Sequence, residues 1–297
     1  MGLLRLMRPA NIITAFSDIL AGMAISGYFT NLYGQTTSPT PFILLLLSTA
    51  CLYGGGVVMN DVFDADIDKV ERPERPIPSG LISKNFAAGF GSALLLAGVL
   101  FAGFVQPHHF FSISFFIAAG IAIAALVYDK FGKHHPLLGP LNMGVCRGLN
   151  LLLGMTIITD TPGMFWELGI IPLIYIAAIT MISRGEVHGG RKRIISFAGV
   201  LYFVVLVAIA TVAYSNQQLA KTLPFIAVFG VMIFLPLIKA MQNPEGPRIG
   251  EAVKMAVLGL ILMNAGWAAA FGAIPYALLI VLLLPLSIII AKVFAVT

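Results

Sequence analysis

Six of the chain's thirteen acidic residues fall between Asn60 and Gly80, in the stretch NDVFDADIDKVERPERPIPSG. On a helix advancing roughly 100° per residue, Asn60, Asp61, Asp64 and Asp68 share an arc of about 100°, and Asp66 points the opposite way. One amide and three carboxylates therefore occupy one face. An apolar run precedes them, which puts them at the C-terminal end of a helix, where the macrodipole disfavours acids. Such a cluster calls for a cation. Hard oxygen donors suit Mg2+, which takes one or two carboxylates and completes its shell with water and substrate phosphates. Arg72 and Arg75 follow at once, and guanidinium groups match phosphate oxygens. Carboxylates for a metal beside arginines for phosphate read as a diphosphate site.

Other polar groups sit where they cost most. Arg147, in NMGVCRGLN, lies inside an apolar run, flanked by Asn142 and Asn150. An ionisable group there faces a bundle interior or a cavity. Two readings stand for it: a contact to an anion or substrate, or an interhelical ion pair with Asp18. Asn11 and Asp18 look into the same interior. Asn264 reads as a helix–helix hydrogen bond, and Gly54-Gly55-Gly56 as a place where a neighbouring helix comes close. The connection YDKFGKHH offers Lys133 to a phosphate. In SRGEVHGGRKR, Glu186 and His188 are candidates to complete a metal or proton-transfer site, and Arg184 to hold phosphate.

These groups must be positioned by membrane helices. The chain is 59% hydrophobic and 10% charged, with a mean hydropathy of +0.95; a soluble domain carries about 25% charge. The net charge of +5 is spread between apolar runs, so it sets topology and does not imply nucleic acid. Cys51 and Cys146 lie inside apolar runs, which argues against a disulfide. A window of about 20 residues per span gives runs near 10–29, 41–60, 86–105, 110–128, 137–159, 166–183, 194–214, 222–240, 252–271 and 275–294. The fold class is thus an all-α transmembrane bundle of nine to ten spans, forming one domain over 1–297. Counted across ten spans, sixteen of the eighteen Lys and Arg residues fall on one side, which puts both termini and the acidic stretch in the cytoplasm.

The pattern NDxxDxxxD followed by RxxRPxPSG, carried here by Asn60, Asp61, Asp64, Asp68, Arg72, Arg75, Pro76, Pro78, Ser79 and Gly80, resembles the UbiA superfamily of intramembrane prenyltransferases. The Arg8-Pro9 start and the Tyr128 to Lys133 element are similar to it as well. The resemblance implies a helical bundle with a central cavity, in which Mg2+ and a polyprenyl diphosphate meet an aromatic or other nucleophilic acceptor. The family's second aspartate-rich motif should fall at 180–190. The chain has Ser183-Arg184-Gly185-Glu186-Val187-His188 there, with one carboxylate, and so looks like the EboC-like branch. Prenyl transfer is the function expected, with Asp61, Asp64, Asp68 and Glu186 on the metal. Asn60, Arg72, Arg75, Lys133, Arg184, Arg147 and Asn142 are expected on substrate, and Glu186 or His188 as proton acceptor. The partners expected are a prenyl diphosphate, a small-molecule acceptor and the lipid bilayer. The alternative is a non-catalytic isoprenoid or lipid carrier derived from such an enzyme.

Overall fold

The computed structural model describes residues 2–30, 38–106, 108–133, 135–158, 161–186 and 189–293. All ten apolar runs are helical. A short α1 (Gly2–Met7) leads into α2 (Pro9–Ile25), followed by α3 (Thr40–Glu71), α4 (Lys84–Gly103) and α5 (Ile113–Val127). Next come α6 (Leu138–Met155), α7 (Thr161–Met164), α8 (Ile170–Ser183), α9 (Lys192–Ser215) and α10 (Leu219–Gln242). The chain closes with α11 (Gly246–Ala270), α12 (Ile274–Val281) and α13 (Leu283–Val293). A π turn at Tyr128–Gly132 extends α5, and a 3-10 turn at Trp166–Gly169 precedes α8. Eight of these segments are long and apolar enough to cross a bilayer, with α12 and α13 counted as one. The remaining two spans are α2, at 17 residues, and the more polar α6. Pro285 removes one backbone donor near the start of α13, which breaks the last span at Leu282 without ending it.

The length of α3 is what creates the site. Its 32 residues make a helix of about 48 Å, against a hydrocarbon core of about 30 Å. The apolar part fills the membrane, and the last three turns, which carry the carboxylates, project beyond it.

Two apolar cores meet on α11. One joins α8, α9 and α10 through Tyr175, Tyr202, Phe229 and Trp267. The other joins α2, α3, α4 and α12 through Ile19, Met23, Leu52, Leu95 and Ala277. Every residue of α11 from Gly259 to Ala270 is buried, and the helix lends residues to both cores.

Small residues set the closest approaches. A Cβ on Gly22 would overlap the Leu151 carbonyl, and one on Gly154 the Ile19 carbonyl, so α2 and α6 touch backbone to backbone. That contact brings Asp18 against Arg147. The triple glycine of α3 does what its spacing suggests: Gly55 lies against Gly91 and Leu95 of α4, and Gly56 against Ala125 of α5.

Candidate active site

The end of α3 carries its acids as helical geometry requires. Asp61 and Asp68 are each 4% exposed, whereas Asp66 is on the outside, paired with Lys69 and Lys84. The chain then folds back under the helix end. Arg72 closes on Asp68 through its N–H, Arg75 on Arg72, Ser79 on Arg75 and Gly80 on Ile77. Ile77 anchors this return among Leu6, Val62 and Ala65. The turn needs its glycine, since Gly80 has φ +78°, a region costly for other residues.

This return buries Arg75 between two carboxylates. A single nitrogen, Nη1, donates to Asp68 Oδ2 at 2.7 Å and to Asp61 Oδ1 at 3.3 Å. Arg8, in the left-handed region at φ 48° at the head of α2, donates to the same Asp61 oxygen at 2.8 Å. The π turn after α5 brings in Lys133, which pairs with Asp64, and Asp129, whose Oδ1 accepts from Asn60 Nδ2 at 2.9 Å. Arg184 donates to the carbonyls of Lys133 at 3.3 Å and His135 at 2.6 Å, tying that connection to the end of α8.

Behind this rim lies a cavity of about 380 Å³ between α2, α3, α5, α6, α8 and α11. Arg8, Asn60, Tyr128, Asp129 and Ser183 stand at its mouth, and Leu52, Ile121, Met143, Ile176, Val257 and Leu260 give it apolar walls. Thr49, Tyr53, Arg147 and Asn150 line it deeper in. Arg147 donates to Asp18 Oδ2 at 2.7 Å and to Thr14 Oγ1 at 2.6 Å, and the Tyr53 ring covers its guanidinium at 5.6 Å. Asn150 and Asn264 complete the shell around Asp18. Of the two sequence readings of Arg147, the ion pair with Asp18 is present, and the residue also lines the cavity.

The remaining expectations separate. Asn60 and Arg147 line the cavity, and Asp61, Asp64, Asp68, Arg75 and Lys133 form the charged network at its rim. Arg184 acts on backbone and holds the loop. Arg72 is exposed. Asn142 does not line the cavity; it packs beneath the π turn at Gly132. Among the described residues no three Asp, Glu, His or Cys side chains gather as a metal site, so Asp61, Asp64, Asp68 and Glu186 are not drawn together in this structure. Asp61 and Asp68 share Arg75, whereas Asp64 is paired with Lys133. Partial burial raises the carboxyl of Glu186 above the ordinary range, with Arg72 pulling the other way. His188 lies outside the described residues.

Sequence reasoning missed Asp129 and undervalued Arg8. Both are charges at the edge of an apolar run. The lysines of YDKFGK masked one, and a topological reading absorbed the other.

The donor chemistry still fits a divalent cation. One guanidinium nitrogen within reach of both Asp61 and Asp68 shows that two carboxylate oxygens converge on a cation-sized position. Mg2+ bound by one or two carboxylates and substrate phosphates asks for no third protein ligand.

The model of the UbiA prenyltransferase family matches residues 19–258. A digeranylgeranylglyceryl phosphate synthase of Methanothrix thermoacetophila is 31% identical over 229 residues, covering 72% of this chain and 79% of that one. Among solved structures, a UbiA homolog from Archaeoglobus fulgidus bound to DMAPP and Mg2+ superposes with a TM-score of 0.67 at 17% identity, over 93% of this chain and 99% of that one. The same homolog bound to GPP and Mg2+ gives 0.66 at 17% identity, over 93% and 100%. With the family match, the fold and the carboxylate face in agreement, the chain belongs to the UbiA prenyltransferase family, as an integral multi-pass membrane enzyme that transfers prenyl groups.

Proposed function

We propose that the chain moves a prenyl group from a prenyl diphosphate to a nucleophilic acceptor inside the cavity, with Mg2+ at the rim. The observation that carries this is the convergence of Asp61 and Asp68 on one cationic nitrogen at the mouth of an apolar cavity. Asp61 and Asp68, with Asp64 beside them, would hold the metal. When bound, the metal would offset charge on the leaving diphosphate. Arg75, Arg8 and Lys133, at hydrogen-bond distance from those carboxylates, are placed to turn their donors to phosphate oxygens. The apolar walls keep water from the allylic centre, and Tyr53 and Tyr128 offer π faces to positive charge. Asn60 is held by Asp129 and lines the cavity.

The Mg2+ dependence, the acceptor and the orientation are parts of this reading. The charge asymmetry of the loops supports a mouth on the cytoplasmic side, with both termini there. The name of the Methanothrix relative supports a glycerophosphate-type acceptor as one class to assay. In nanodiscs, the protein should release diphosphate from geranylgeranyl diphosphate only with Mg2+. Asp68→Asn should lower that rate by about 100-fold or more, the loss seen when a preorganised electrostatic contact to a leaving group is removed. No release from geranyl, farnesyl or geranylgeranyl diphosphate with any acceptor would defeat the reading.

A further inference from the structure

We propose that Asp129 takes the proton from the acceptor, and that the acceptor presents a neutral hydroxyl group. The inference rests on the prenyl-transfer reading above. Asp129 is 4% exposed and lies on the cavity wall, in the π turn at the end of α5. Only half of its carboxylate is used by the fold. Oδ1 accepts from Asn60 at 2.9 Å, whereas Oδ2 is buried and has no hydrogen-bond partner among the described residues. A buried acceptor without a donor is costly, and such groups persist where a ligand or a reaction needs them. The charged groups acting on it are Lys133, Asp64 and Asp61. Lys133 is paired with Asp64, and Asp61 with Arg8 and Arg75. Tyr128 and Cys146 are the neighbouring wall groups. No protein group therefore claims the second oxygen, and the cavity is where a donor would come from.

The charge of the acceptor follows from the opposite wall. Arg147 is the cation of the deep end, and Asp18, Thr14 and the Tyr53 ring already engage it. The amide of Asn150 donates to the Ala15 carbonyl and Asp18 and accepts from Thr49. A carboxylate or phosphate on the acceptor would meet no uncommitted cation there, and it would add repulsion from Asp129. The Asn11 amide and the Tyr53 hydroxyl also line the cavity, and their side chains make no hydrogen bond among the described residues. These are groups that bind hydroxyls.

The step balances as follows. The acceptor oxygen forms a bond to C1 of the prenyl chain as the C1–O bond to diphosphate breaks, and the electron pair leaves with diphosphate. The hydroxyl proton passes to Asp129 Oδ2 and then to solvent. The products are an ether and diphosphate.

The test uses the full chain in nanodiscs with geranylgeranyl diphosphate and Mg2+. Glycerol and sn-glycerol 1-phosphate serve as a matched neutral and anionic pair of hydroxyl probes. Mass spectrometry reads each prenyl ether against geranylgeraniol, the product of capture by water. The glycerol ether should exceed the glycerol phosphate ether severalfold. In Asp129→Asn, which keeps the bond from Asn60, the ether-to-prenol ratio should drop by about 100-fold or more, as loss of a general base predicts. In Asp129→Ala, formate should raise that ratio again and chloride should not. A preference for the phosphate, an unchanged ratio in Asp129→Asn, or a shifted Mg2+ half-saturation would overturn the assignment. So would a wild-type protein that yields prenol and no ether. A wild-type protein that releases no diphosphate at all sinks prenyl transfer itself, and this assignment with it.

Discussion

The buried pair of Asp18 and Arg147 gives the sharpest test of how the bundle is held together. Asp18 is fully buried and accepts from Arg147 Nη1 at 2.7 Å, Asn264 Nδ2 at 2.7 Å and Asn150 Nδ2 at 3.0 Å. Removing one partner of a buried pair costs about 3–5 kcal/mol, because the other charge stays behind unpaired. Asp18→Leu belongs at the low end, about 3 kcal/mol, since Arg147 keeps Thr14 and borders the cavity. Arg147→Met should cost less, about 2 kcal/mol, because the stranded carboxylate keeps two amide donors and can take up a proton. The double variant removes both charges and leaves mainly the two amides short of an acceptor, again about 2 kcal/mol. A double-mutant cycle should therefore return a coupling of about 3 kcal/mol, roughly a 150-fold factor in the unfolding constant. Unfolding in mixed micelles can be followed by fluorescence of Trp267, which is 0% exposed and sits one helical turn from Asn264. Effects that add within about 0.5 kcal/mol would refute the reasoning, as expected for independent sites.

Other perturbations separate the rim from its surroundings. Asp66→Asn, at an exposed residue paired among the described residues with Lys69 and Lys84, should leave diphosphate release and the thermal unfolding midpoint unchanged; Asp64→Asn should weaken Mg2+-dependent binding of a prenyl diphosphate analogue in a calorimetric titration. Gly154→Ala would drive a methyl into the Ile19 carbonyl and should destabilise by about 1–3 kcal/mol, whereas Gly89→Ala, with nothing within 4 Å of the new methyl, should stabilise by about 0.5–1 kcal/mol; thermal unfolding in detergent distinguishes them. The carboxyl of Glu186 is raised from its ordinary value of 4.5, so the folded state holds that proton more tightly than the unfolded chain does. Its contribution to stability is present below pH 4.5 and is lost as pH rises through the raised value. Glu186→Gln should remove that decline, and unfolding curves of the two proteins that stay parallel across the acid range would contradict it.

Much of the site was readable in the chain itself because one helix carries it. Asn60, Asp61, Asp64 and Asp68 share a face by helical spacing alone, and Asp66 is excluded from it by the same arithmetic. The ten apolar runs all became helices, since a backbone in lipid must satisfy its own hydrogen bonds. The glycine triplet, Asn264 and the ion pair available to Arg147 were each readable as close approach or as polar contacts between spans. Asn142 was the opposite case. Its distance in sequence from Arg147 said nothing about which side of α6 faces the cavity.

The sequence by itself determined the spans, the carboxylate face at the end of α3 and the basic residues that follow it, because local periodicity and hydropathy decide those. Tertiary structure alone decided which basic group meets which acid. Arg75 reaches Asp61 and Asp68 only because Ile77 pins the return of the chain, and Arg8 reaches Asp61 across 53 residues. It also decided that Asp129 stands on the cavity wall with one oxygen unclaimed among the described residues. The physical reason is that convergence of side chains from separate helices depends on interhelical distance and rotation. Those are set by backbone contacts such as Gly22 with Leu151 and Gly154 with Ile19, which no single stretch of sequence records.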